Sequence, residues 1–226
     1  MEKLENINLR ELFQIQNLMS LLRIFLTPFI GYYLWVNSNE ATIIIVILLI
    51  VAGASDYFDG YLARKLNRQT ALGLMLDPLA DKAFATILIL ELIFLRDFPL
   101  WLAGMVFFRD IIIVVGASLM MKRKNLIPFS IISGKYYFAA LAVLISSYII
   151  KFPFGIQLCL YLTVILFVIS SYEYARNYYL LAHGRKLIGS SENVAYMYFR
   201  GGVSVAFWIV YLYKLFEQFL GWSLFN

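Results

Sequence analysis

Long apolar runs separated by short polar links dominate the chain. Seven runs stand out, at residues 21–36, 41–57, 74–95, 100–121, 136–150, 156–181 and 203–220. A helix needs roughly 20 apolar residues to cross a bilayer, and most of these runs approach that length. The pattern predicts an all-α fold, a polytopic membrane helix bundle with a six-helix core and a seventh helix formed by the last run.

The chain before the first apolar run is polar and charged, unlike a cleavable signal peptide. Residues 8–17 are amphipathic, which predicts a short interfacial helix. Because no linker, repeat or low-complexity tract interrupts the runs, we expect a single domain at residues 1–226. Its parts are the interfacial segment at 1–20, the six-helix core at 21–182 and a carboxyl-terminal extension at 183–226.

Composition and charge support this assignment. The chain is 62% apolar and 15% charged, which is typical of a membrane protein. One cysteine, Cys159, excludes a disulfide framework. The net charge of +5 does not indicate a nucleic-acid partner, because the basic residues lie at the ends of apolar runs. They occupy alternate links, which predicts a multi-pass protein of the cell (inner) membrane with those links on the cytoplasmic side. The link residues are Arg64, Lys65, Arg68, Lys122, Arg123, Lys124, Arg176, Arg185, Lys186 and Arg200.

Four aspartates lie where the second run ends and the third begins. Asp56 and Asp59 share one helix face by their spacing, and Asp77 and Asp81 share a face of the next helix. The short basic link between the two helices predicts antiparallel neighbours whose carboxylates meet. Clustered carboxylates near a membrane need compensation, and Mg²⁺ is the usual hard cation where phosphates are also bound. The simpler alternative is solvated helix ends paired with nearby basic residues. The spacing favours the metal site.

The stretch that contains these aspartates, DYFDGYLARKLNRQTALGLMLDPLADK at residues 56–82, resembles the signature of the CDP-alcohol phosphatidyltransferase family. Every fixed position is present: Asp56, Asp59, Gly60, Ala63, Arg64, Gly73, Asp77 and Asp81. The wording LDPLADK is most similar to that of bacterial phosphatidylglycerophosphate synthases. The resemblance outside the signature is diffuse but covers most of the six-helix core, including Asn17 and Arg23.

The resemblance implies roles for these residues. Asp56, Asp59 and Asp77 would hold a first metal ion, and Asp56, Asp77 and Asp81 would border a second, with Mg²⁺ expected and Mn²⁺ as an alternative. Asp81 would also be the catalytic base that takes the proton of the acceptor hydroxyl. The nucleotide of CDP-diacylglycerol would lie against four residues: Gly60, Ala63, Arg64 and Gly73. A homodimer is implied by the resemblance alone.

Two basic residues are candidates for the acceptor pocket. Arg109 lies with Asp110 inside the fourth run, where the pair could simply neutralise itself. The family suggests instead that a basic residue here faces the acceptor's phosphate. Lys135 matches a family lysine of that pocket, against the alternative of a membrane anchor. Glu173 and Arg176 are weaker candidates, more typical of a helix-end pair.

The resemblance implies transfer of a phosphatidyl group from CDP-diacylglycerol to glycerol 3-phosphate, with release of CMP. Three departures bear on the acceptor: Gln16 before Asn17, Asp110 after Arg109, and Tyr136 after Lys135. A cardiolipin synthase, or another family member with a different acceptor, is therefore the sibling alternative. A cation transporter is the alternative of another class, although the carboxyl-terminal half has no second aspartate cluster. A membrane prenyltransferase usually has two separate aspartate-rich motifs, and this chain has one.

Overall fold

A computed structural model describes the backbone of residues 15–65, 71–124, 131–183 and 194–224. Side-chain environments are described for residues 21–55, 80–116, 131–181, 183 and 201–218. The described residues form seven helices: α1 (Ile15–Val36), α2 (Asn39–Lys65), α3 (Ala71–Arg96), α4 (Leu100–Lys124), α5 (Ile132–Ile149), α6 (Pro153–Ala182) and α7 (Val194–Leu224). The chain divides into two compact units, Met1–Leu100 and Trp101–Asn226.

The first unit is built around α1, which packs against both α2 and α3. All three helices contribute side chains that are fully buried: Ile30 and Leu34 from α1, Ile45 from α2, and Ile89 and Leu92 from α3. These are branched and apolar residues at helical spacing, so each helix buries a stripe against its neighbours. This common packing on α1 holds the two aspartate-bearing helices within one unit.

The second unit is built on the α5–α6 hairpin, which also contacts α7. Hydrogen bonds attach the other two helices to it. The hydroxyls of Ser147 on α5 and Tyr211 on α7 lie 3.0 Å apart, and the Tyr178 hydroxyl on α6 donates to the Ile113 carbonyl on α4 at 3.2 Å. Ser147 and Tyr211 are both buried, so this polar contact ties α5 to α7 inside an otherwise apolar interface.

Three helix ends use the same backbone device. Asn37, Asp97 and Lys151, which follow α1, α3 and α5, have φ angles of 58°, 54° and 52°. A left-handed residue after the last helical turn satisfies terminal carbonyls and reverses the chain sharply. The next helix therefore begins within a few residues each time. These three links are the ones that the charge pattern predicts on the non-cytoplasmic side.

Large apolar side chains cover much of the outer surface of the described helices. Phe94 is 82% exposed, Leu100 72%, Trp35 70% and Tyr161 69%. A soluble protein rarely exposes apolar patches of this extent, whereas lipid covers them at no cost. Two helical segments, Ile132–Ile149 and Pro153–Leu181, are also long and apolar enough to cross a bilayer. Leu21–Val36 and Asn39–Ser55 are shorter apolar helices.

The structure confirms the predicted all-helical bundle, and α2 and α3 extend through the aspartate motif as expected. One boundary differs from the prediction. Residues 15–20, expected in a separate interfacial helix, belong to α1. Residues 15–20 contain neither glycine nor proline, so no helix-breaking residue separates them from the first apolar run. Residues 1–14 lie outside the described part of the chain.

Candidate active site

The aspartate motif lies on two helices of the first unit. Asp56, Asp59, Gly60, Ala63 and Arg64 belong to α2, and α3 carries the rest of the motif, Gly73, Asp77 and Asp81. Within a helix, the three- and four-residue spacings place each aspartate pair on one face of its backbone. Asp81 is the member whose side chain lies within the described residues. The convergence of all four carboxylates on one metal site therefore stays a prediction.

Asp81 forms an ion pair with Arg23 of α1. The Arg23 side chain is 6% exposed and the Asp81 side chain 51% exposed. A buried guanidinium needs a counter-charge, and this carboxylate supplies one while half of its surface remains accessible. Since a carboxylate has two oxygens and several lone pairs, Asp81 can pair with Arg23 and still offer oxygen to another cation.

The contact of Arg23 with Asp81 was not predicted from the sequence, in which Arg23 stood out only as part of the family resemblance. A signal for it exists in the sequence. Arg23 stands within the first apolar run, and an arginine in such a run requires a partner of opposite charge or a polar cavity. The sequence alone does not indicate which of the four aspartates is that partner.

In the second unit, Arg109 of α4 is 3% exposed. Its Nε, Nη1 and Nη2 atoms are all buried and have no hydrogen-bond partner within the described part of the chain. Buried donors are nearly always satisfied, and leaving a charged one unsatisfied is costly. An unsatisfied buried guanidinium is therefore suited to bind an anion that brings its own acceptor oxygens.

Aromatic rings surround this guanidinium. Its central carbon lies 4.2 Å from the ring centroid of Tyr137, 5.0 Å from that of Phe138 and 5.6 Å from that of Tyr174. All three distances fall within the range of cation–π attraction. The rings stabilise the positive charge of Arg109 and fix the plane of its donors, but they accept no conventional hydrogen bonds from it.

Asp110 neutralises Arg109 only loosely. The Arg109 Nη1 to Asp110 Oδ1 distance is 3.6 Å, too long for a hydrogen bond. The Asp110 side chain is 24% exposed. The self-neutralising pair that the sequence allows is thus present as an electrostatic contact, and it leaves the donors of Arg109 available for a ligand.

Gly134, on the first turn of α5, packs closely against Tyr174 and Arg109. A Cβ atom at this position would lie 3.3 Å from the Tyr174 hydroxyl oxygen and 3.5 Å from Arg109 Nη2. Glycine therefore lets the α5 backbone approach these two polar groups without a side chain between them. Lys135, the next residue and a predicted acceptor ligand, is exposed on the same turn.

A hydrogen bond joins the same turn of α5 to α6. The Ser133 hydroxyl donates to Glu173 Oε2 at 2.6 Å, and both residues are half-buried. The sequence-based expectation of a helix-end pair for Glu173 did not include Ser133. Ser133 is next to Gly134 and Glu173 is next to Tyr174, so this hydrogen bond lies within one residue of the two positions that border Arg109.

The two groups of residues suit two kinds of chemistry. Asp81 is a partly accessible carboxylate next to a fixed positive charge, which suits cation binding or proton acceptance. Arg109 is a buried cation with available donors, which suits a phosphate or carboxylate. His/Cys/Asp/Glu groups of three or more are absent from the side chains that the structure describes, and Asp56, Asp59 and Asp77 lie outside that set.

The chain resembles known proteins over most of its length. Residues 13–171 match the CDP-alcohol phosphatidyltransferase family. A CDP-diacylglycerol–glycerol-3-phosphate 3-phosphatidyltransferase of Aquifex aeolicus is 36% identical over 126 residues, which are 54% of this chain and 67% of the relative. The enzyme of the same name from Wigglesworthia glossinidia brevipalpis is 34% identical over 123 residues, 53% of this chain and 68% of the relative.

A CMP-forming cardiolipin synthase of Rattus norvegicus is 34% identical over 124 residues. The alignment covers 54% of this chain and 39% of that protein, so the chain spans well under half of the synthase. The family match ends within α6 and does not include α7, which belongs to the predicted carboxyl-terminal extension. With more than half of its length matched, this helical membrane protein belongs to the CDP-alcohol phosphatidyltransferase family.

Proposed function

We propose that the protein transfers a phosphatidyl group from CDP-diacylglycerol to glycerol 3-phosphate, forming phosphatidylglycerophosphate and CMP. The acceptor's primary hydroxyl oxygen bonds to the β-phosphorus, the bond from that phosphorus to CMP breaks, and the hydroxyl proton moves to Asp81. Two relatives named for this reaction align with this chain over about two thirds of their own length.

The observation that carries the acceptor assignment is the environment of Arg109. Its buried donors lack protein acceptors within the described residues, and a phosphate monoester would supply several oxygens to them. Lys135, exposed on the neighbouring turn, would add a second positive charge. Glycerol 3-phosphate carries such a phosphate at one end and its reactive hydroxyl at the other.

The second acceptor, phosphatidylglycerol, is favoured by one observation, the 34% identity to a cardiolipin synthase. Phosphatidylglycerol presents a phosphodiester with one negative charge and carries two acyl chains. A small dianion makes fuller use of an arginine enclosed by three aromatic rings. This difference ranks glycerol 3-phosphate first.

Asp56, Asp59, Asp77 and Asp81 would hold divalent metal ions, with Mg²⁺ as the expected species and Mn²⁺ as a substitute. Four carboxylates are the hard oxygen donors that such ions prefer, and the half-exposed Asp81 is accessible to one. A bound ion would neutralise pyrophosphate charge and stabilise the departing CMP phosphate. Gly60, Ala63, Arg64 and Gly73 would line the nucleotide site.

The proposal also includes the orientation of the protein in the membrane and its assembly. The alternation of basic links supports a position of the aspartate-bearing ends of α2 and α3 on the cytoplasmic side of the inner membrane. The whole chain would act as one catalytic domain, as a homodimer. Cysteine scanning of the link at residues 66–70 with an impermeant reagent tests the sidedness, because labelling should require permeabilised cells.

An acceptor panel tests the proposed reaction. Purified protein in detergent or nanodiscs receives radiolabelled CDP-diacylglycerol, Mg²⁺ and one acceptor, and CMP release is measured. Glycerol 3-phosphate should support release, whereas phosphatidylglycerol, serine and inositol phosphate should not. Release with phosphatidylglycerol alone would reassign the protein as a cardiolipin synthase, and release with serine or inositol phosphate alone would refute both acceptors.

Metal dependence is tested in the same assay. Chelation with excess EDTA should abolish CMP release, and added Mg²⁺ should restore it. The bound metal ions would neutralise the negative charge of the pyrophosphate beside the four carboxylates. Activity that persists after exhaustive chelation would contradict the metal site.

A further inference from the structure

The seam between α5 and α6 contains a carboxylate for which the proposed reaction has no role. Glu173 lies one residue before Tyr174, whose ring faces Arg109. Its Oε2 accepts the 2.6 Å hydrogen bond from Ser133. Each carboxylate oxygen accepts about two hydrogen bonds, so Oε1 and part of Oε2 can accept others.

Arg109 and Glu173 are suited to bind different chemical groups. The guanidinium of Arg109 offers donors and positive charge, so it attracts phosphate. An ionised Glu173 repels phosphate and offers only acceptors, so it suits a hydroxyl that donates. Ser133 holds this carboxylate in one orientation, which lowers the entropy lost when a ligand hydroxyl binds to it.

We propose that Glu173, oriented by Ser133, is a specificity-determining residue that accepts a hydrogen bond from the non-reacting middle hydroxyl of the acceptor. Arg109 binds the phosphate at one end of the acceptor, and Glu173 accepts a hydrogen bond from the hydroxyl on the middle carbon. The two contacts together determine which hydroxyl of the acceptor reacts. This inference rests on the proposed function, because it assumes a small polyol phosphate as the acceptor.

Gly134 places the turn of α5 that carries Ser133 close to Arg109. A Cβ atom at position 134 would lie 3.3 Å from the Tyr174 hydroxyl oxygen and 3.5 Å from Arg109 Nη2. The absence of a side chain therefore lets this turn pack directly against the phenol and the guanidinium. The hydrogen bond from Ser133 to Glu173 begins one residue from that contact.

The test compares two acceptors that differ by one group. Glycerol 3-phosphate has a middle hydroxyl, and 3-hydroxypropyl phosphate has the same chain length without it. The values of kcat/KM for CMP release are measured for both acceptors with the parent protein, Glu173→Ala, Glu173→Gln and Ser133→Ala. Glu217→Gln serves as the matched control, because Glu217 pairs with Lys214 on the exposed surface of α7.

The parent protein and Glu217→Gln should prefer glycerol 3-phosphate by about 10- to 100-fold, the range for a hydrogen bond to a charged group. Glu173→Ala should bring the ratio near one by lowering only the value for glycerol 3-phosphate. Glu173→Gln keeps an acceptor oxygen and should retain part of the preference. Ser133→Ala should reduce it less than Glu173→Ala does. The KM for CDP-diacylglycerol should stay within about twofold throughout, since the variants do not touch its proposed site.

Two results overturn the proposal. An equal loss with both acceptors in Glu173→Ala would make Glu173 a helix-packing residue, and an unchanged ratio would remove it from acceptor recognition. In both cases the parent protein still uses glycerol 3-phosphate, so the proposed function stands. Failure of the parent protein to use either acceptor would refute the proposed function instead.

Discussion

Arg23 and Arg109 are both arginines buried in apolar helices, yet their surroundings differ. Arg23, 5% exposed, forms an ion pair with Asp81 in the first unit. Arg109, 3% exposed in the second, lies against aromatic rings, and the Asp110 carboxylate is 3.6 Å away. A buried charge that is paired within the protein serves that partner, whereas one held by rings retains its hydrogen-bonding capacity for a ligand.

Under the proposed function, the two arginines would have different roles. Arg23 would hold Asp81 in place for metal binding and proton transfer. Arg109 would attract the anionic group of the acceptor. The ring contacts explain how Arg109 tolerates burial: cation–π attraction contributes about 0.5–2 kcal/mol per good contact without consuming N–H donors.

The largest expected effect follows from substitution of Asp81, the ion-pair partner of Arg23. Asp81→Asn should lower kcat for CMP release by about 10³-fold, since an amide cannot accept the hydroxyl proton. Binding of CDP-diacylglycerol should be largely spared because the other three aspartates remain. Single-turnover assays and lipid-binding measurements separate the two. Near-normal turnover of Asp81→Asn would contradict its role as the base.

A smaller effect should come from uncoupling the ion pair itself. Asp81→Asn leaves Arg23 buried without this carboxylate, which should lower the free energy of unfolding by about 1–3 kcal/mol. Adding Arg23→Gln removes the buried charge and should restore part of that loss. Thermal unfolding of the single and double variants in detergent measures this coupling. Strictly additive effects would show that the ion pair does not contribute to stability.

The smallest expected effect is at Gly134. A methyl group there meets the Tyr174 hydroxyl at 3.3 Å and Arg109 Nη2 at 3.5 Å, so Gly134→Ala should raise the KM for glycerol 3-phosphate by about three- to tenfold, as a small steric change does. Gly104→Ala on α4 is the matched control, because its added Cβ would meet nothing within 4 Å. Equal KM values in the two variants would contradict an acceptor site beside Arg109.

Much of this architecture follows from local sequence pattern. The apolar runs predict the helices because burial in lipid needs continuous hydrophobic length. The aspartate spacing places Asp56 and Asp59 on α2 and Asp77 and Asp81 on α3, because helical periodicity is a local property.

Contacts between distant segments could not be predicted in this way. Arg23 and Asp81 are brought together by the packing of α1 on α3, and Ser133 and Glu173 are 40 residues apart. The rings around Arg109 come from α5 and α6, and aromatic residues are too common in this chain for spacing to single them out. Such contacts depend on helix rotation and depth, which hydropathy does not encode.

Direct binding of radiolabelled glycerol 3-phosphate to protein in nanodiscs tests the difference between the two arginines most directly. Arg109→Gln should weaken binding by about 100-fold, the loss expected for charge-assisted hydrogen bonds to phosphate, whereas Arg23→Gln should bind within a few-fold of the parent protein. Equal weakening by both substitutions, or unchanged binding in Arg109→Gln, would contradict the account.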